Sequence, residues 1–145
     1  MKAYADSSFI VTLYLQEQRS REAIARMERV DHALPFTPWH RLEVRNAIRL
    51  AVRQKLIDPH QGKTQLNQVD KDLREANLLV HEPIDWTDAL RRAEELGAAH
   101  STRLGCRSAD LFHVAAALEL RCDTFLTFDD RQIGMAKAAG MNVKT

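Results

Sequence analysis

The sequence predicts an α/β fold with a parallel sheet covered by helices on both faces. Three observations carry this. Short strand-like runs alternate with longer helical patterns along the chain. The helical patterns open on strong start signals, Thr37-Pro38 and Asp58-Pro59 above all. No repeat, low-complexity tract or Gly/Pro/Ser-rich linker interrupts the alternation, so the 145 residues read as one domain, 1–145.

Lys2 to Ala5 is a brief first strand, followed at once by Asp6-Ser7-Ser8, where Ser7 or Ser8 caps a helix through about Gln16. A second helix covers Arg19 to Val30, and Ala33 to Phe36 is a short strand. The helix from Pro38 runs to about Gln54, and the one from Pro59 to about Ala76. Asn77 to Val80 is a strand candidate, and Asp85 begins a helix to about His100. The segment Ser101 to Arg107 reads as a loop containing Gly105, after which Ser108 caps a helix to about Leu120. Thr124 to Thr127 is strand-like, Asp130 to Ala139 is helical and stops at Gly140, and Met141 to Val143 is a last strand.

Apolar residues make up 45% and charged residues 28%, the balance of an ordinary soluble protein, and the net charge is +1. Nucleic-acid binding is neither announced nor excluded by that charge, because an acidic cluster would offset local basic patches. The apolar run Phe9 to Leu15 is too short to span a bilayer and is followed by Gln16-Glu17-Gln18-Arg19 in place of a small-residue cleavage site. It reads as part of a cytoplasmic domain with no membrane association. Cys106 and Cys122 form no C-x-x-C, and the six histidines include no H-E-x-x-H. A disulfide framework or a zinc site is not expected.

Four acids stand out. Asp6 and Asp129 each follow a strand-like run, so parallel pairing of those runs would bring both out at one sheet edge, where ligands bind in such folds. The ordinary explanation for either is a turn or helix-capping residue. Asp110 opens a segment, through Leu118, that is apolar on every face and should be buried all round. Its ordinary explanation is the helix dipole. Glu43 borders the stripe Val44, Ala47, Ile48 and Ala51, although a Glu on a helix is more often a solvated charge. Carboxylates converging in a cleft call for a cation, and hard oxygen ligands select magnesium or manganese. Such a site supports phosphodiester hydrolysis.

In this setting the residues resemble PIN-domain nucleases, most closely the VapC-type toxins of type II toxin–antitoxin pairs. Tyr4-Ala5-Asp6-Ser7-Ser8 is similar to the family's first motif. Leu42-Glu43 with Asn46-Ala47 resembles the second, Arg107-Ser108-Ala109-Asp110 running into His113-Val114-Ala115-Ala116-Ala117 the third, and Phe125-Leu126-Thr127-Phe128-Asp129-Asp130 the fourth. The resemblance covers essentially the whole chain in the right order. It implies a three-layer α/β/α fold with a short central parallel sheet. It also implies endonucleolytic cleavage of RNA with Mg2+, Mn2+ substituting. Carried over, Asp6 and Asp110 are the principal metal ligands, Glu43 completes the site directly or through water, and Asp129 binds metal or positions water. Thr127 and Ser8 are supporting hydroxyls. Asp129 is preferred over its neighbour Asp130, which reads as the start of the last helix. The resemblance further implies a homodimer and a cognate antitoxin.

Arg41, Arg45, Arg49 and Arg53 form a slowly turning basic stripe, readable as RNA contact but more simply as a solvated helix face or subunit contact. The roles of Arg103 and Arg107 stay open. His113 reads as a satisfied core histidine before a general base, and Trp39 and Trp86 as packing residues before base-stacking ones. A phosphatase using Asp6 as nucleophile would want Asp-x-Asp, which Ser7-Ser8 does not supply. The remaining rival is a catalytically silent RNA- or protein-binding module of the same fold.

Overall fold

The computed structural model describes residues 1–144. In chain order the elements are β1 (Ala3–Ala5), α1 (Ser7–Tyr14), α2 (Ser20–Met27), β2 (Leu34–Phe36), α3 (Pro38–Arg53), α4 (Pro59–Glu75), β3 (Leu79–His81), α5 (Trp86–Leu104), α6 (Ser108–Glu119), β4 (Thr124–Leu126), α7 (Asp130–Ala138) and β5 (Asn142–Lys144). Every described strand pair is parallel. The strands are divided between a three-stranded sheet, β1-β4-β5, and a two-stranded one, β2-β3. Among the described residues no helix is long and apolar enough to cross a membrane. The chain divides into two compact units, Met1–Asp6 with Pro83–Thr145, and Ser7–Glu82.

The first unit is built on β1-β4-β5. β1 and β4 are buried at all three positions, as expected of strands covered on both faces. Tyr4 stacks on Phe125, with centroids 5.6 Å apart. α6 is buried continuously from Phe112 through Ala117, which agrees with its all-round apolar sequence. α5 continues to Leu104, past the expected end at His100. Nothing in Ser101-Thr102-Arg103-Leu104 breaks a helix, and Gly105 supplies the left-handed cap at φ 67°. The expected loop Ser101 to Arg107 therefore shrinks to Gly105–Arg107. Ser108 is the first helical residue of α6, not its cap. The N-terminus is held instead by Asp110, whose Oδ2 accepts from the Arg107 backbone N–H at 3.1 Å. β5 starts one residue later than expected, because Met141 N–H is tied back to Ala136 O at 2.9 Å, closing the end of α7 around Gly140.

The second unit carries α1 to α4 and β2-β3. Both proline-opened helices begin as the sequence indicates. Thr37 Oγ1 accepts from His40 N–H at 3.3 Å, and Asp58 with Gln61 forms a reciprocal capping box at 2.7 and 2.8 Å. Val44, Ile48 and Ala51 are the buried stripe of α3. β3 begins at Leu79, because Asn77 N–H still closes onto Asp72 O at 3.1 Å after the left-handed Ala76. A buried polar pair ties α1 to α4: Tyr14 O–H donates to Asp72 Oδ2 at 2.6 Å, and Gln68 Nε2 donates to Asp72 Oδ1 at 3.0 Å. Burial, then the bond to Asp72 and its negative charge, raises the Tyr14 phenol well above its usual range. Tyr14→Phe leaves a 7%-exposed carboxylate one donor short. The expected loss is about 1–3 kcal/mol, read as a lower urea midpoint with unchanged slope. An unchanged midpoint would show that Asp72 finds another donor.

Candidate functional site

In the first unit, the parallel register Ala5↔Leu126 sends the next residues, Asp6 and Thr127, out of the same end of adjacent strands. Asp6 is 1% exposed and Thr127 is fully buried. Thr127 Oγ1–H donates to Asp6 Oδ2, and the same oxygen accepts from Gln132 Nε2 at 2.8 Å. Thr127 Oγ1 in turn accepts from Asp129 N–H at 3.0 Å. Asp129 is the N-cap of α7, and its Oδ1 accepts from Arg131 N–H at 2.8 Å and Gln132 N–H at 3.2 Å. The bonds close a ring through Asp6, Thr127, Asp129 and Gln132. They also settle which acid belongs to this network. Asp129 is in the ring, whereas Asp130 is exposed and opens α7.

Asp110 is 4% exposed in the first turn of α6. Besides capping through Oδ2, it faces Arg107 Nε at 3.6 Å, a weak pair since the arginine side chain is 71% exposed. The capping explanation thus holds for Asp129, and Asp110, for which the sequence offers the helix dipole, caps as well. The bonds described engage one oxygen of each, Oδ2 of Asp110 and Oδ1 of Asp129. Capping and ligation are compatible for a group with two acceptor oxygens.

Cys106 carries the electrostatic influence of both acids. Its Sγ donates to Arg131 O at 3.3 Å. Burial first, then the charges of Asp110 and Asp129, push the thiol up, with Arg131 opposing. Removing one of those charges should lower it again and expose more thiolate near neutrality. In a Cys122→Ser background, alkylation of Cys106 is expected to be slow at pH 7.5 and faster in Asp110→Asn. Equal rates would mean that Asp110 does not act on the thiol.

Glu43 lies in the second unit, half-buried on α3, where Ser7 Oγ–H donates to its Oε1 at 2.8 Å. Ser7 is buried and follows Asp6 directly in the chain, whereas Ser8, the supporting hydroxyl that the resemblance implies, is exposed. Arg45 is bound to Asp70 at 2.9 Å and Arg41 lies 3.6 Å from it, so part of the basic stripe serves α3–α4 packing. Arg49 and Arg53 are exposed. His113 is a buried histidine whose Nδ1 lies 2.8 Å from Tyr4 Oη, in line with the core reading. Trp86 stacks on Phe112 at 5.3 Å. Arg103 Nη2 lies 3.1 Å from His100 Nδ1.

Among the described residues, no three His, Cys, Asp or Glu side chains form a group that could hold an ion by themselves. A magnesium ion does not require one. It keeps several of its waters and is commonly held through one or two carboxylates. The chemistry at the ends of β1 and β4 fits that demand. The side chains there offer hard carboxylate oxygens. In addition, Gln132 Oε1 is buried with no hydrogen-bond partner among the described residues, while its Nε2 is committed to Asp6. A buried amide oxygen without a donor costs about 1–3 kcal/mol, so this position is suited to a water, free or bound to a cation. Gln132 was not among the residues singled out from sequence. Its spacing from Asp129 signals only a capping box.

The family model described as PIN domain matches residues 3–138, a span that takes in the second unit and most of the first. Among solved structures, the chain is similar to that of FitAcB from Neisseria gonorrhoeae. The TM-score is 0.63 at 16% identity, over 99% of this chain and 96% of that one. At that identity the likeness is one of fold. No curated protein matches the chain.

Proposed function

The chain belongs to the PIN domain family, and from that premise we propose that it is a magnesium- or manganese-dependent endoribonuclease, the toxin of a toxin–antitoxin pair. The observation that carries the reading is the ring around Asp6. A nearly fully buried carboxylate is held by Thr127 and Gln132 at the end of a parallel strand pair, beside the cap of α7 supplied by Asp129. A buried, oriented carboxylate with a second hard-oxygen acceptor next to it suits a hydrated cation better than it suits packing.

In this reading Asp6 and Asp110 would hold the ion and Asp129 would bind it or position the attacking water, while the part given to Glu43 rests on the family resemblance alone. When bound, such an ion supplies an activated water and neutralises charge on the phosphoryl and leaving oxygens. The chain's own contributions are positional. Thr127 and Gln132 fix the Asp6 carboxylate, α6 presents Asp110 from its first turn, and Ser7 orients Glu43 within the second unit. RNA is the substrate, an antitoxin and a second copy of the chain are the expected partners, and the free thiols of Cys106 and Cys122 suit a reducing cytoplasm.

The test is incubation of the purified protein, stripped of any bound partner, with a panel of labelled structured RNAs in Mg2+, Mn2+ or chelator. Metal-dependent internal cleavage is expected. Binding of RNA without cleavage in either metal would favour the silent module instead.

A further inference from the structure

Gln132 occupies the third position of α7, where a glutamine side chain ordinarily turns back to accept the N–H of the capping residue. Here that N–H, on Asp129, is taken by Thr127 Oγ1 at 3.0 Å. Gln132 is displaced from its local role and reaches across the sheet end to Asp6, 126 residues away in sequence. The bond to Asp6 fixes the amide: a carboxylate oxygen accepts, so the nitrogen faces Asp6 and the oxygen faces away from it. That oxygen is left buried and unpartnered on a side chain only 5% exposed. An acceptor in this position calls for a donor, and in a site of carboxylates the donor is a water polarised by a cation.

We propose that Gln132 is a positioning residue of the metal centre, with Nε2 holding Asp6 and Oε1 accepting a hydrogen bond from a water of the bound divalent cation. This rests on the reading of the site given above. Gln132 fixes the hydrated ion relative to Asp6, and the same side chain couples the cap of α7 to ion binding, because its backbone N–H is held by Asp129.

The experiment is titration of the full chain with Mn2+ alone, without RNA, with free Mn2+ read by electron paramagnetic resonance. Wild type is compared with Gln132→Met and Gln132→Glu. Gln132→Met removes both functions of the amide at similar volume and is expected to weaken Mn2+ binding about tenfold or more. Gln132→Glu loses the donor to Asp6 but keeps an acceptor oxygen at the same reach, and is expected to bind at least as tightly as wild type. If holding Asp6 were the whole role of Gln132, Glu would be as weak as Met, and that result overturns the proposal. Wild-type affinity in Gln132→Met overturns it too. Should Gln132→Met fail to fold by circular dichroism, Gln132→Asn, one methylene short, takes its place with the same expected loss, and wild-type affinity there overturns the proposal. Absence of Mn2+ binding by wild type overturns the functional reading together with this one. Binding by wild type that is indifferent to residue 132 overturns this one alone.

Discussion

Asp6→Asn is expected to abolish metal-dependent cleavage, by at least about a hundredfold, while leaving the fold intact. Oδ2 of the carboxylate accepts from two donors, Thr127 Oγ1 and Gln132 Nε2. An asparagine can offer its single oxygen to the same two donors. Its NH2 then replaces the other carboxylate oxygen, and a donor stands where an acceptor for a cation is required. Turning the amide over would set its NH2 against Gln132 Nε2, donor against donor. Either way the site loses a charge and an acceptor, but the buried bonds from Thr127 and Gln132 can be kept. Circular dichroism and Tm should therefore stay close to wild type, with Mn2+ binding and RNA cleavage both lost. Cleavage retained within a few-fold would remove Asp6 from the site.

Thr127→Val should act on stability as well as activity. The hydroxyl is fully buried and serves two residues, donating to Asp6 and accepting from Asp129 N–H. Valine fills the same volume and satisfies neither. Asp6 loses a charge-assisted bond and the half-buried Asp129 N–H loses its acceptor. The expected cost is about 3 kcal/mol, or roughly 6–12 °C in Tm for a chain of this size. Thr127→Ser keeps the hydroxyl and should recover most of the loss, missing only a methyl group. A valine variant as stable as wild type would show that the ring is not a supporting structure. Activity should fall with Thr127→Val even at temperatures where it is folded, because Asp6 is then held by Gln132 alone among the bonds described.

The parts of this fold governed by local chemistry were legible in the sequence. Thr37-Pro38 and Asp58-Pro59 start helices because a capping side chain followed by proline satisfies the orphan N–H groups wherever it occurs. The parallel pairing of the runs before Asp6 and Asp129 followed from alternation of strands and helices, although the register sets Thr127 level with Asp6, and α6 is buried as its all-round apolar sequence requires. What was missed depends on choices between neighbours. Ser7, which the sequence offers only as a possible helix cap, donates to Glu43, a matter of phase in the first turn of α1. Asp110, not Ser108, satisfies the N-terminus of α6, because a carboxylate at the third position can reach back to the Arg107 N–H. Arg45 is half-consumed by Asp70, and Gln132 by Asp6, through contacts that sequence spacing does not encode. The division of the strands into two sheets is likewise set by packing, since five runs of three residues carry no register signal of their own.

The most direct measurement is the chemistry of the RNA ends, with the reaction run in 18O-labelled water in the presence of Mg2+ and, in parallel, of chelator. Attack by a water held among the carboxylates should give phosphate monoester ends carrying one solvent oxygen, no 2′,3′-cyclic phosphate, and no product in chelator. Cyclic phosphate ends formed equally well in chelator would mean that the RNA's own 2′-hydroxyl is the nucleophile, and would contradict a metal-and-carboxylate site at Asp6.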